Sequence, residues 1–350
     1  MTDKSRRNFI IGLAGLGALA AAGWGVAGYS LLRSSGVSSS SSSSSTTSNP
    51  AATLGQGVNI IFNGHWGPEN VFGNIVEKGF YDSCELIGAN CKMYRPTNES
   101  NVSEIISNLQ AAINQKPDVL IATDIYTSVQ PYLHEASQSG IILILANVNA
   151  PTQQDFEYTG AVSFIGQSLV EAGYTQAQAL SKYFPQGSHV VIVDEGPGQV
   201  WAEQRNQGIE EFLKQYGCSW DVIESSFDLS QVASQISAYL EANPNTKAIL
   251  SNGYGGAVVT QVFPKLGIQP GQIPVATFDL TPQVLDAILS GYVQLTIDQQ
   301  PYLQGLLPVI QGALIKKYHF SGWNVDTGEL VLTKDIAQEV EAEVNEGIFY

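Results

Sequence analysis

The strongest constraint on the fold is one alternation that the chain runs through twice. From Gly57 onward, short β-rich runs alternate with helical patterns. The first set of runs is "VNIIF", "CKMYR", "DVLIAT" and "IILILA". Between them lie "VFGNIVEKGFYDSCELIG", "VSEIISNLQAAINQ" and "VQPYLHEASQSG", each with apolar residues at helical spacing. A second set follows: "HVVIVDEG", "WDVIESS", "KAILSNG", "IPVATFD" and "VQLTI". Its helices read "WAEQRNQGIEEFLKQYG", "LSQVASQISAYLEANP" and "GAVVTQVFPKLG". Strands separated by helices predict a parallel sheet covered on both faces. The expected fold is therefore α/β, with two doubly wound parallel-sheet lobes of one plan. "SFIGQSLVEAGYTQAQALSKYF", from Ser163, reads as the helix entering the second lobe.

The next helical pattern, "PYLQGLLPVIQGALIKKY" from Pro301, comes after the second lobe has its strands. It fits as the missing final helix of the first lobe. "GELVLT", Gly328 to Thr333, then returns as an edge strand on the second. The chain would cross between lobes three times, giving a three-segment hinge. The expected boundaries are 57–165 plus 299–322 for lobe 1, 166–298 plus 323–335 for lobe 2, and a tail at 336–350. "IDQQP" becomes an interlobe crossing, with Pro301 in the first helical turn, where its missing N–H costs nothing. Ligands of open α/β sheets bind at strand ends, so Asp298, Gln299 and Gln300 would face the cleft or support the hinge.

Residues 1–33 read as an export signal or membrane anchor. Ser5-Arg6-Arg7-Asn8-Phe9-Ile10 is similar to a twin-arginine signal, and the 24 residues from Phe9 to Leu32 carry no charge. That run is long enough to span a bilayer, while "ALA" at Ala18–Ala20 offers a cleavage site. Residues 34–54 form a linker with an unbroken serine run, Ser38 to Ser45. Such a tract buries no apolar area. A tether of this kind favours the retained anchor, with the folded body outside the membrane. "NES" at Asn98 and "NVS" at Asn101 match the N-glycosylation pattern.

Charge narrows the partners. Of 16 Lys and Arg, four lie in the first fifty residues, together with one Asp; residues 51–350 carry 12 basic and 31 acidic groups, a net of −19. Nucleic acid is a poor partner for such a surface, because phosphate neutralisation supplies most of that affinity. Charged residues are only 14% of the chain, against about 25% in typical domains; an acidic exterior medium or ordinary drift would each account for this. The three cysteines, Cys84, Cys91 and Cys218, have no metal-ligand spacing. Cys84 ends a predicted helix and Cys91 opens a strand, so a local disulfide and three buried thiols are both open.

Several stretches carry a family likeness: "KGFYDSCELIG", "KPDVLIATDIYTSVQPYLHEASQSGI", "FIGQSLVEAG", "RNQGIEEF", "TFDLTPQVLDAILSGYVQLTIDQQPYLQG" and "VDTGELVLTKD". In this order, from Val58 to Asp335, the chain resembles the type I periplasmic sugar-binding proteins of ABC importers, the ribose- and galactose-binding-like group. The resemblance implies hinged lobes that close on one monosaccharide and then dock on a membrane permease. No cofactor is implied, and a monomer is expected.

The resemblance also implies site residues. Arg205 of "RNQGIEEF" takes the position that clamps sugar oxygens. Asn252, Asp279 and Gln299 take strand-end positions of the second lobe and its crossing; Asp124 and Asn147 do so in the first. The chemistry agrees, because a sugar hydroxyl donates and accepts: Asp accepts, Arg donates through a planar fork, and Asn or Gln does both. The apolar face of a sugar packs on aromatic rings, for which Trp66, Phe72, Trp201 and Phe278 are candidates, with His65 a further one. Helix capping is the structural alternative for Asp124 and Asp279, and core packing for the aromatics. "NGHWGPENVFG" and "NVN" depart from the ribose binders' adjacent phenylalanines and acidic–basic pair. Both departures fall on the first lobe's wall.

No catalytic constellation emerges. There is no GxSxG elbow, and His65, His134, His189 and His319 are scattered without metal spacing. In "GPGQVW", Trp201 stands where a dinucleotide fingerprint needs its third glycine. Two function classes are carried forward: a transport receptor that delivers a sugar, and a tethered ectodomain that senses a sugar or other small polar ligand.

Overall fold

Two six-stranded sheets organise the chain. A computed structural model describes residues 53–99, 101–148 and 151–349. Segment 1–33 and linker residues 34–52 lie outside the described residues. Among the described residues no helix is long and apolar enough to cross a membrane; the Phe9–Leu32 run is outside them.

The first sheet holds β1 (Asn59–Asn63), β2 (Asn90–Tyr94), β3 (Val119–Ala122), β4 (Ile142–Asn147), β5 (Ser163–Gly166) and β11 (Val325–Asp326), in the order β11-β5-β4-β3-β1-β2. The second holds β6 (His189–Asp194), β7 (Ser219–Glu224), β8 (Ile249–Ser251), β9 (Val275–Phe278), β10 (Leu295–Asp298) and β12 (Leu330–Thr333), in the order β12-β10-β9-β8-β6-β7. The first five strands of each sheet follow the same order. All pairs are parallel except β10 with β12.

Central strands are apolar on both faces because both faces are covered. In β1, Ile60 and Phe62 pack on α1 (Val71–Ile87) and α10 (Pro301–Tyr318), while Ile61 packs toward α2 (Val102–Asn114) and α3 (Gln130–Gln138), in a cluster that α4 (Gln153–Thr159) joins through Phe156. In the second sheet α5 (Leu169–Leu180) and α6 (Val200–Gln215) cover one face. The other is covered by α7 (Leu229–Ala242), α8 (Val259–Val262) and α9 (Pro282–Leu289). The α5–α6 pair is close-packed: a Cβ on Gly173 would overlap the carbonyl of Arg205, and one on Gly208 that of Val170. This contact fixes the position of Arg205 along α6.

Four sequence expectations are corrected. Ser163–Gly166 is a strand rather than the start of a helix, because it pairs with β4; the helix begins at Leu169. Val325–Asp326, expected in lobe 2, pairs with β5 in the first sheet. The tail packs on the second lobe's core through Ala337 and Val344. "GAVVTQVFPKLG" is broken into 3-10 turns around the four-residue α8. The cysteines divide: Cys84 and Cys91 form a disulfide, and Cys218 is free and partly exposed. The Asn101 side chain caps α2 and donates its Nδ2 to Glu104 Oε2 at 2.9 Å, so the atom a glycan would modify is engaged.

The chain passes between sheets after β5, after β10 and between β11 and β12. Amide side chains tie these crossings together: Gln300 Nε2 donates to the Thr327 carbonyl, and Gln167 Nε2 donates to the Gly328 carbonyl at 3.1 Å. This accounts for the polar triplet. Asp298 ends β10 in full burial, which pushes its carboxyl well above the usual range. Gln299 turns to the cleft, and Gln300 fastens the crossing.

Candidate ligand-binding site

Strand ends of both sheets meet at a cavity of about 260 Å³. This is slightly below the roughly 300–1,000 Å³ of drug-sized sites, so it suits a small ligand. The first lobe contributes His65, Trp66, Phe72, Glu99 and Asn147; the second contributes Trp201, Arg205, Phe227, Tyr254 and Asp279; Gln299 comes from a crossing.

Arg205 is the electrostatic centre. It is buried; Nη1 donates to the Asn252 carbonyl at 2.9 Å and Nη2 to Gln167 Oε1 at 3.1 Å. Its guanidinium lies 4.0 Å from the Phe278 ring centroid and 5.4 Å from that of Trp201. Burial lowers its pKa to about 10, with Asp279 and Glu195 opposing the fall. It is therefore a cation at neutral pH. No described residue supplies an acceptor for its Nε.

Asp279 follows β9 with φ 64° and Asn147 ends β4 with φ 72°. These are corresponding strand ends in the two sheets. The left-handed region is uncommon for residues other than glycine, and such strain concentrates at functional sites. Asp279 Oδ1 accepts from Gln299 Nε2 at 2.8 Å. Burial raises the carboxyl's pKa, against the Arg205 charge and the Gln299 hydrogen bond. Thr281, not Asp279, caps α9.

The first lobe's wall brings His65, Glu69 and Glu99 to the cavity. Burial lowers His65 to a pKa of about 3, so its imidazole is neutral. Trp66 is buried among Phe62 and Phe72, with centroids at 6.2 and 5.7 Å. On the opposite wall, Trp201, Phe227 and Tyr254 form a near-parallel row at 5.8 and 6.1 Å spacing. Outside the cavity, Glu171, Asp326 and Glu329 bring carboxylate oxygens within 4.8 Å of one another, with no His or Cys.

The model of the periplasmic binding protein domain matches residues 64–312. The chain belongs to the periplasmic binding protein family. The family is one of substrate-binding proteins, and membership places the folded body outside the cytoplasm. The chain is 28% identical over 272 residues to the xylose/arabinose-binding protein XylF of Sulfolobus acidocaldarius, covering 74% of this chain and 67% of that one. It is 23% identical over 245 residues to the fructose import binding protein FruE of Bifidobacterium longum, covering 67% and 72%. In fold it is similar to a periplasmic ribose ABC transporter from Conexibacter woesei: TM-score 0.74, 19% identity, 86% of this chain and 99% of that one. It is also similar to a solute-binding protein from Burkholderia graminis in complex with D-arabinose: TM-score 0.70, 24% identity, 80% and 96%.

In this periplasmic binding protein the cavity gathers Trp66, Asn147, Arg205, Asp279 and Gln299, with His65, Phe72 and Trp201. Three expected residues lie outside its lining. Asp124 turns toward α3 and accepts from Gln130 Nε2 at 2.9 Å. Asn252 is fully buried, bonding Asp194, Asn206 and the Glu195 N–H, so it holds the loop whose carbonyl receives Arg205. Phe278 is fully buried beneath the guanidinium. Sequence reasoning missed Glu99, Phe227 and Tyr254. Tyr254 follows Asn252 by two residues at a strand end, which was a usable signal. Phe227 and Glu99 sit in loops with no motif that points to a ligand.

Proposed function

We propose that this protein captures one monosaccharide between its lobes and delivers it to the permease of an ABC importer. The observation that carries this reading is the set Arg205, Asp279 and Gln299 facing Asn147 across a small cavity with aromatic walls. Fixed donors and acceptors around apolar rings match a sugar's hydroxyls and C–H face. The xylose/arabinose-binding relative supports a pentose as cargo. Each lobe supplies part of the contact, so ligand favours the closed arrangement through rotation at the three crossings. Residues 1–33 hold the body as an uncleaved anchor, the linker spans to the body, and the protein works as a monomer. No reaction is assigned to the site; binding is reversible and non-covalent.

A thermal-shift screen of residues 55–350 against pentoses, hexoses, deoxysugars, inositol, nucleosides and amino acids tests the ligand class. A sugar at 100 times its dissociation constant adds about 2.7 kcal/mol. Stabilisation by a monosaccharide alone is expected, with a smaller radius of gyration in scattering. Hits only with nucleosides or amino acids would overturn the sugar assignment. Unchanged uptake of that sugar in a deletion strain would instead favour a sensor.

A further inference from the structure

We infer that two buried glutamines, Gln304 and Gln167, are positioning residues that fix which polar atoms the cavity presents and tie each wall to the third crossing. The sugar-specific half of this inference rests on the function proposed above.

Both side chains are fully buried. The logic starts at main-chain carbonyls, which only accept. The Gln299 carbonyl accepts from Thr327 Oγ1 at 2.9 Å and from Gln304 Nε2 at 3.0 Å. The Thr327 hydroxyl proton is thereby committed, so its oxygen accepts from Gln304 Nε2, at 3.1 Å. Both amide protons of Gln304 are now used at the hinge. Its Oε1 is left facing Asn147 and accepts from Asn147 Nδ2 at 2.8 Å. Asn147 has thereby spent one of its two amide N–H groups, which fixes which way the amide faces; its Oδ1, to which no described residue donates, remains as its acceptor. The orientation of an asparagine amide that could face either way is thus fixed by a hinge carbonyl two residues away in the network.

The second wall mirrors this. The Gly328 carbonyl accepts from Gln167 Nε2, and Gln167 Oε1 accepts from Arg205 Nη2, both at 3.1 Å. Thr327 and Gly328 are adjacent. One two-residue segment therefore holds a site residue of each lobe through one buried amide apiece. The two relays differ in one respect: Arg205 only donates whatever Gln167 does, whereas the orientation of the Asn147 amide depends on Gln304.

A ligand hydroxyl that meets Asn147 Oδ1 must then donate. Fluorine cannot, and leaving a buried acceptor unpaired costs enough to weaken binding roughly 5- to 150-fold. The test uses the full chain in detergent with D-xylose, D-ribose and D-glucose and the monodeoxyfluoro derivatives of each. In the wild type, one ring position is expected to show a fluorine penalty of about tenfold or more. In Gln304→Leu the Asn147 amide can turn, and that penalty falls below about threefold. In Gln167→Leu all the sugars weaken but the positional profile stays. Gln304→Met serves if the leucine variant does not fold. The same profile in Gln304→Leu as in wild type would overturn the inference. A ligand-free measurement decides the relay independently: Asn147 side-chain amide protons, assigned by the peak lost in Asn147→Asp, should exchange with water about tenfold faster in Gln304→Leu. Unchanged exchange refutes the relay. If none of these three sugars binds the wild type, the thermal-shift screen decides the proposed function, and amide exchange decides the relay.

Discussion

Arg205→Ala probes the site at the group on which most contacts converge. The guanidinium is buried, makes hydrogen bonds at 2.9 and 3.1 Å, and lies on the Phe278 ring with Nε unspent. A ligand oxygen accepting from this cation gains about 1.5–3 kcal/mol, the usual worth of a hydrogen bond to a charged group. Its loss weakens binding about 10- to 150-fold. Removal also strips Asp279 of its opposing charge, so that carboxyl shifts further toward the neutral form and becomes a poorer acceptor. The two native hydrogen bonds vanish as well; desolvation relief offsets part of this, leaving a stability loss of about 3 kcal/mol. Arg205→Lys restores the charge without the planar fork and should recover little of the affinity. Isothermal calorimetry at pH 7 on folded variants reads the effect. A dissociation constant within about threefold of wild type, with an intact unfolding transition, would refute the assigned role.

Glu195 predicts a pH dependence. Burial raises this carboxyl from 4.5 to about 7, against its bonds from Ser251 and Gly255. Between those values the unfolded chain has ionised and the folded one holds the proton, so this group's contribution makes stability fall as pH rises, by up to about 3 kcal/mol. Denaturant melts from pH 4.5 to 7 should show a flatter slope in Glu195→Gln than in wild type; identical slopes would exclude the effect. The Cys84–Cys91 bond closes a loop with a sequence separation of 7. Replacing both by alanine should cost about 2.5 kcal/mol by loop entropy, read from urea midpoints, and an unchanged midpoint would contradict that estimate.

Alternating apolar runs and helical patterns were enough to read two similar α/β lobes, because a strand covered on both faces must be apolar throughout. The "IDQQP" stretch marked a crossing, since three polar side chains between a strand and a helix need partners that a covered sheet does not provide. Four residues such as Ser163–Gly166 carry no period that separates strand from helix, and their pairing with β4 settled it. The two-residue β11 has no signature at all; only its neighbour β5 makes it a strand. The site divided in the same way. Strand-end residues were visible as a class, but Asp124 turned to α3, Asn252 turned to Asp194 and Asn206, and Asn147 reached the cavity. The direction of a strand-end side chain is set by the turn that follows and by the layer beside it. Gln304 shows the limit most clearly: in sequence it is one polar residue on a helix, and its partners lie 157 residues before it, 23 residues after it and on a neighbouring crossing. Local pattern determined the elements of this protein, and the packing of two sheets at three crossings decided which polar atoms meet a ligand.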